Sequence, residues 1–269
     1  MPRLERPGGI QLHWEERGEG PLVVIAPHWS GVPEVFEPLI GDLHLDHRVM
    51  TYDARGTGQS SRSGPHDMET GAGDLEAVIE TAGEQAIVVG ISDAPNHGVR
   101  VAARRPDLAV AVIALASAPF GQRAIRETES LIASETVVSA FIEQIETDYR
   151  GALRSMLTAA NPQLDEAGVR ERVARQVEYC PREVGVERLR AWASDDAIEE
   201  GRAVGERYWM LYSADTAGPW FPSISEMLKL MGRLLPDAHT EEIANGIVSR
   251  PDVTAEVVRR ITATSRSAV

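Results

Sequence analysis

The chain has 269 residues, 43% of them hydrophobic, with 41 acidic against 27 basic side chains and a formal net charge of -14. That length suits one large domain, or one domain carrying an insertion, with a substantial core, and so acidic a surface repels nucleic acid and anionic lipid and excludes both as partners. A single cysteine, Cys180, excludes an intramolecular disulfide framework and a cysteine-built zinc site and fits a reducing, cytoplasmic setting; residues 1–10 lack the apolar run of a signal peptide, and no run of ~18 apolar residues is present to span a bilayer.

Residues 10–16 (Ile-Gln-Leu-His-Trp-Glu-Glu) alternate and predict an antiparallel edge strand, turned by Gly18 to Gly20. Residues 22–26 are a continuous apolar run, as a strand covered by helices on both faces requires. The loop Pro27-His28-Trp29-Ser30-Gly31 follows, then a helix near 35–43 and a strand over 49–52 that leads into Asp53-Ala54-Arg55-Gly56-Thr57-Gly58-Gln59-Ser60. A helix over 68–82, a strand over 86–89, a helix from about 93 and an apolar run over 109–115 come next. Strands alternating with helices at this spacing predict an α/β class, a mostly parallel, doubly wound sheet.

The stretch Gly90-Ile91-Ser92-Asp93-Ala94 stands at one strand-to-helix junction. A serine on so sharp a turn tolerates almost no side chain two positions before or after it, and Gly90 and Ala94 meet that demand. Its hydroxyl is expected at the mouth of the sheet over a helix N-terminus, where free N–H groups and the helix dipole favour developing negative charge. Ser92 is thus the candidate nucleophile. Asp93 reads either as the cap of that helix or as an acid or base in a closed pocket.

Three stretches in order carry a family resemblance: the loop after Ala26, the run Tyr52-Asp53-x-Arg55-Gly56-x-Gly58-x-Ser60, and Gly90-x-Ser92-x-Ala94 with its helix ending Ala102-Ala103-Arg104-Arg105-Pro106. Residues 10–120 and 206–262 resemble the α/β-hydrolase superfamily, in the capped branch with epoxide hydrolases, haloperoxidase-like esterases and proline iminopeptidases. The resemblance implies a sheet of about eight strands flanked by helices, and a core domain of residues 1–120 and 206–269. Residues 121–205, charged, of helical period and broken at Asn161-Pro162, Pro181 and Gly185, are expected to form an inserted helical cap over the pocket. It further implies that the backbone N–H groups of Trp29 and Asp93 form an oxyanion hole, that Asp53 and Arg55 are a buried pair bracing the elbow, and that the triad acid follows the strand over 208–212. Asp215 is the carboxylate available there, two residues beyond the usual spacing.

The pattern then departs from the family. A last strand over 240–243 is expected to deliver a catalytic histidine, yet Ile247 stands in its place and no histidine follows His239. A serine hydroxyl needs a neighbouring base, so each histidine is weighed as a substitute. His28, in the oxyanion loop, is the candidate. His97 lies five residues past Ser92, about 140° around the elbow helix, and reads as a packed core residue. His239 begins a strand at the end remote from the pocket, and His13, His44, His47 and His66 read as surface or edge positions. Three activities remain open: a serine hydrolase of a small apolar ester, thioester, lactone or amide; a lyase, dehydratase or cyclase using the same oxyanion donors; and a ligand-binding protein without catalysis. No metal or organic cofactor is implied.

Overall fold

The computed structural model describes residues 2–119, 121, 129–161, 163–214, 224–243 and 250–266. Among them the strands are β1 (Arg3–Arg6), β2 (Ile10–Arg17), β3 (Leu22–Ile25), β4 (Arg48–Tyr52), β5 (Ala86–Ile91), β6 (Ala109–Leu115), β7 (Tyr208–Tyr212) and β8 (His239–Glu242). They form one sheet of eight in the order β1-β2-β4-β3-β5-β6-β7-β8. β1, β2 and β4 pair antiparallel and every later neighbour pairs parallel.

One expectation needs correction: β2 is not the edge. β1 lies outside it, pairing Arg3 with His13 through Arg6 with Ile10. Arg-Leu-Glu-Arg offers a single apolar side chain, so no hydrophobic alternation announces this strand; the turn Pro7–Gly9 folds it back.

The central strands are apolar on both faces because helices cover both. Ala86 and Val88 of β5 join a core with α2 (Met68–Ala82) and α3 (Ala94–Arg104), whereas Ile87 and Val89 join one with α1 (Glu37–Leu43) and α10 (Pro251–Arg266). The four side chains of β3 are at most 3% exposed, each worth about 1.5–3 kcal/mol relative to the exposed state. α2 begins where Asp67 accepts the Thr70 N–H at 2.7 Å and ends at Gly83, φ 74°, an N-cap and a left-handed C-cap that bound the helix.

Between β6 and β7 come α4 (Glu129–Thr147), α5 (Tyr149–Ala160), α6 (Glu166–Tyr179), α7 (Arg182–Ala193) and α8 (Ile198–Val204). Side chains of α4 to α7, among them Phe141, Ile145, Leu153, Val173 and Leu189, bury one another in an apolar cluster separate from both sheet faces, joined from the core by Trp29. α8 differs: Val204 packs into the α2/α3 core. After β7, α9 (Ile224–Leu234) returns to that same core through Met227, Leu230 and Met231.

This topology decides where a site can form. The chain leaves β3 towards β4 on one side, then crosses to β5 on the other, so the loops after β3 and β5 diverge at the carboxyl ends of the strands, the place where open α/β sheets bind their ligands. The 27–31 loop follows β3, and Ser92 follows β5.

Candidate active site

Ser92 is held at φ 60°, a left-handed conformation costly for a residue with a Cβ. The turn is tight enough that a Cβ on Gly90 would fall 2.7 Å from the Cβ of Ala94. The Ser92 N–H donates to Ser117 Oγ at 2.7 Å, and that hydroxyl donates to the Leu115 carbonyl at 2.9 Å, tying the elbow to the end of β6. The residue is half-buried, and its hydroxyl makes no hydrogen bond among the described residues.

Asp93 does not cap α3. Its backbone is already helical, its carboxylate accepts no capping bond, and the side chain is 1% exposed. The carboxylate turns instead towards the loop after β3: Oδ1 accepts the Trp29 N–H at 2.6 Å and Oδ2 accepts from Arg188 Nη2 of α7 at 2.8 Å. The Trp29 N–H, expected as an oxyanion donor, is thus occupied by the protein's own carboxylate, which leaves the Asp93 N–H as the remaining donor of the expected pair. Arg188 is also buried; burial works against its charge, but Asp93, together with Cys180 and Tyr179 nearby, more than offsets this and raises its pKa. Nη1 of the same guanidinium has no partner among the described residues.

Trp29 fastens the loop further. Its indole Nε1–H donates to the Gly185 carbonyl at 2.7 Å and its ring meets Phe141 edge-on at 5.7 Å. The loop after β3 is therefore pinned to the start of α3 through Asp93 and to α7 through the indole.

All seven histidines of the chain lie among the described residues, and none hydrogen-bonds the Ser92 hydroxyl. His28 packs edge-on against Phe36 at 5.8 Å, and its ring fills the space over Gly31, where a Cβ would lie 1.6 Å from Nε2. Burial lowers its pKa to about 4, although Asp93 works in the opposite direction. His97 is a core residue, its Nδ1–H donating to the Met68 carbonyl at 3.0 Å. His239 stacks on Trp209 at the start of β8, at the opposite end of the sheet from Ser92. His44 is half-buried, its Nδ1 3.1 Å from the Ile40 carbonyl. His13 and His47 are buried rather than on the surface, and His66 is half-buried with its side chain 6% exposed; His47 bridges Asp46 and Thr262.

A neutral His28 has a measurable consequence. Its folded pKa lies below the unfolded value, so the unfolded chain binds the proton first and stability is lost as pH falls from about 6.5 towards 4, by on the order of 3 kcal/mol. Urea unfolding at pH 7 and pH 4.5 is expected to show a smaller acid loss for His28→Asn than for the wild type; equal losses would remove His28 from the account.

Asp53 and Arg55 are not a pair. Arg55 binds Asp74 of α2 through two hydrogen bonds of 2.7 Å, while Asp53 accepts from the Tyr179 hydroxyl at 2.8 Å and the Gln59 N–H at 2.7 Å. Both carboxylates brace the 53–60 loop, and the partners differ because α2 and α6 approach it from different sides. Asp215 and Ile247 lie outside the described residues. Among those described, no three His, Cys, Asp or Glu side chains converge as a metal site, and no helix is long and apolar enough to cross a membrane.

Comparison with known proteins accords with this geometry. A profile of the alpha/beta hydrolase family matches residues 20–257. The chain is 32% identical over 200 residues to the 2-(acetamidomethylene)succinate hydrolase of Mesorhizobium japonicum, covering 72% of this chain and 66% of that protein. It is 27% identical over 152 residues to the pimeloyl-acyl-carrier-protein methyl ester esterase of Aliivibrio salmonicida, covering 55% and 54%. The matched chain thus spans about half to two thirds the length of these curated relatives. Among solved structures, E-2-(acetamidomethylene)succinate hydrolase superposes with a TM-score of 0.75 at 21% identity over 97% of this chain and 98% of that one, a likeness of fold. With the sheet order, the positive-φ serine elbow and a family match across most of its length, the chain belongs to the alpha/beta hydrolase family.

Proposed function

We propose that the protein hydrolyses an ester, thioester, lactone or amide of a small apolar metabolite, with Ser92 as nucleophile. The observation that carries this reading is the elbow itself: a half-buried serine kept at φ 60° by a bond from its own N–H, with its hydroxyl unengaged among the described residues. Backbone strain of this kind at the end of a central strand is a mark of a functional position. Relatives named as a hydrolase and as a methyl ester esterase support acyl hydrolysis.

In this proposal Ser92 attacks the carbonyl carbon, and the oxyanion is received by the Asp93 N–H, joined by the Trp29 N–H once the Asp93 carboxylate has turned away. Asp215 serves as the triad acid. The serine proton passes to water or to His28, which is neutral at pH 7 because burial lowers its pKa to about 4. So weak a base gives slow turnover whose acid limb lies near pH 4 rather than near pH 6.5. The inserted helices roof the pocket and select the substrate, and the protein works in the cytoplasm.

Incubation with a fluorophosphonate probe is expected to add its mass at Ser92, and Ser92→Ala to abolish both labelling and p-nitrophenyl ester turnover. An unlabelled Ser92 after hours would sink the reading. One observation favours a second: a carboxylate resting on the oxyanion donor suits lyase or cyclase chemistry on an enolate, in which Asp93 moves a proton. Turnover of such a substrate that survives Ser92→Ala would support it.

A further inference from the structure

Arg188 is one of two charged groups that α7 and the residues just beyond it set against the elbow. The second is Asp195, its side chain 8% exposed. Oδ1 accepts from Arg100 Nη2 of α3 at 2.6 Å, and Oδ2 accepts from Arg100 Nη1 at 3.0 Å and from Asn96 Nδ2 at 2.7 Å. Asn96 is fully buried, and its N–H donates to the Asp93 carbonyl at 3.1 Å, beside Ser92.

The two ion pairs share one register. Asp93 meets Arg188 and Arg100 meets Asp195, each across 95 positions of the chain, so the partners are seven residues apart on both sides. On α3 that spacing is two turns and returns to within about 20° of the same face. The polarity alternates: acid then base on the elbow side, base then acid on the other. A slip of those seven residues would set Asp93 against Asp195, two carboxylates in place of a bonded pair.

Asp195 is also fixed to the core. The Gly121 N–H donates to the Asp195 carbonyl at 2.9 Å and the Ala197 N–H to the Pro119 carbonyl at 3.2 Å, so the segment leaving β6 and the segment entering α8 pair with each other. A Cβ on Gly121 would fall 2.4 Å from the Asp195 and Trp192 carbonyl oxygens, which is why glycine stands there. From the leaving segment, Ser117 Oγ accepts the Ser92 N–H. Buried bonds thus join α7, its junction with the core and the elbow helix at one residue.

We propose that Asp195 is a positioning residue for the Ser92 site, an inference that rests on the acyl-transfer reading above. Clamped to Arg100 and Asn96, it holds α7 at the register in which Arg188 draws the Asp93 carboxylate onto the Trp29 N–H. It acts through Arg188. When the clamp is released, the carboxylate leaves that donor more readily and Ser92 reacts faster.

The test follows two signals in the full chain: the backbone amide proton of Trp29 by NMR, and the rate at which a fluorophosphonate labels Ser92. Asp195→Asn keeps the shape and the bond from Asn96 but loses the charge, and Arg100→Lys keeps the charge but loses the two-pronged fork. Each is expected to move the Trp29 amide proton upfield, as its bond to a carboxylate weakens, and to speed labelling by about tenfold, a part of the roughly 10²–10³ that one donor is worth. In the Asp93→Ala/Arg188→Leu background neither change is expected to add anything, since nothing remains to release; a contact that is only structural lacks that coupling. Val258→Ala, in the core on the other side of the sheet, controls for lost stability and is expected to leave both signals in place. An unmoved Trp29 signal in folded Asp195→Asn and Arg100→Lys, slower labelling, or an equal gain in the Asp93→Ala/Arg188→Leu background would each overturn the proposal. If the Trp29 signal moves while wild-type Ser92 takes no label, the register lock stands and the acyl-transfer reading falls.

Discussion

Arg188→Leu is expected to lower the unfolding free energy by about 3–5 kcal/mol, because it strands the Asp93 carboxylate, 1% exposed, without its cation. The hydrogen bond from the Trp29 N–H remains, but one neutral donor does not replace a charged partner in so enclosed a place. The double variant Asp93→Asn/Arg188→Leu is expected to recover most of the loss, since neither buried charge remains and an amide oxygen still accepts from Trp29. Urea unfolding of the single and double variants measures the difference. A single variant within about 0.5 kcal/mol of wild type would mean that the carboxylate is not confined as described.

The second large effect is on activity. Asp93→Ala/Arg188→Leu removes the carboxylate from the Trp29 N–H without leaving an unpaired cation, and so frees that donor for an oxyanion. One such donor is worth about 10²–10³ in turnover, so p-nitrophenyl acetate hydrolysis is expected to rise by roughly 10²-fold over wild type. Adding Ser92→Ala to the same background is expected to erase the gain. Unchanged turnover in a folded double variant would show that the Trp29 N–H does not face the reacting carbonyl. These two measurements separate the two jobs of one contact. The Asp93–Arg188 pair holds α7 against the core, and under the proposed function it also keeps one of the two oxyanion donors filled.

A buried ion pair is seldom the most stabilising choice at its position, because taking both charges out of water costs several kcal/mol before their attraction is counted. Its presence beside Ser92 therefore calls for a reason other than stability. Under the proposed function, control of the Trp29 donor supplies one.

The sequence by itself determined the sheet and the elbow. Continuous apolar runs at 22–26 and 109–115 have no other stable home than strands covered on both faces, and Gly90 and Ala94 flank Ser92 because the turn admits nothing larger. That no histidine follows His239 needs no coordinates at all. Side-chain partnership, by contrast, was decided by the tertiary structure. Asp93 reads in one dimension as a helix cap, and it became an ion-pair partner because Arg188, 95 positions later, arrives from α7. Arg55 took Asp74 rather than Asp53, and the acceptor of the Trp29 N–H came from Asp93, between β5 and α3. Backbone elements follow local periodicity and turn chemistry, which a sequence displays. The partner of a buried charge is whichever group the folded chain brings within about 3 Å, and only the assembled packing sets that distance.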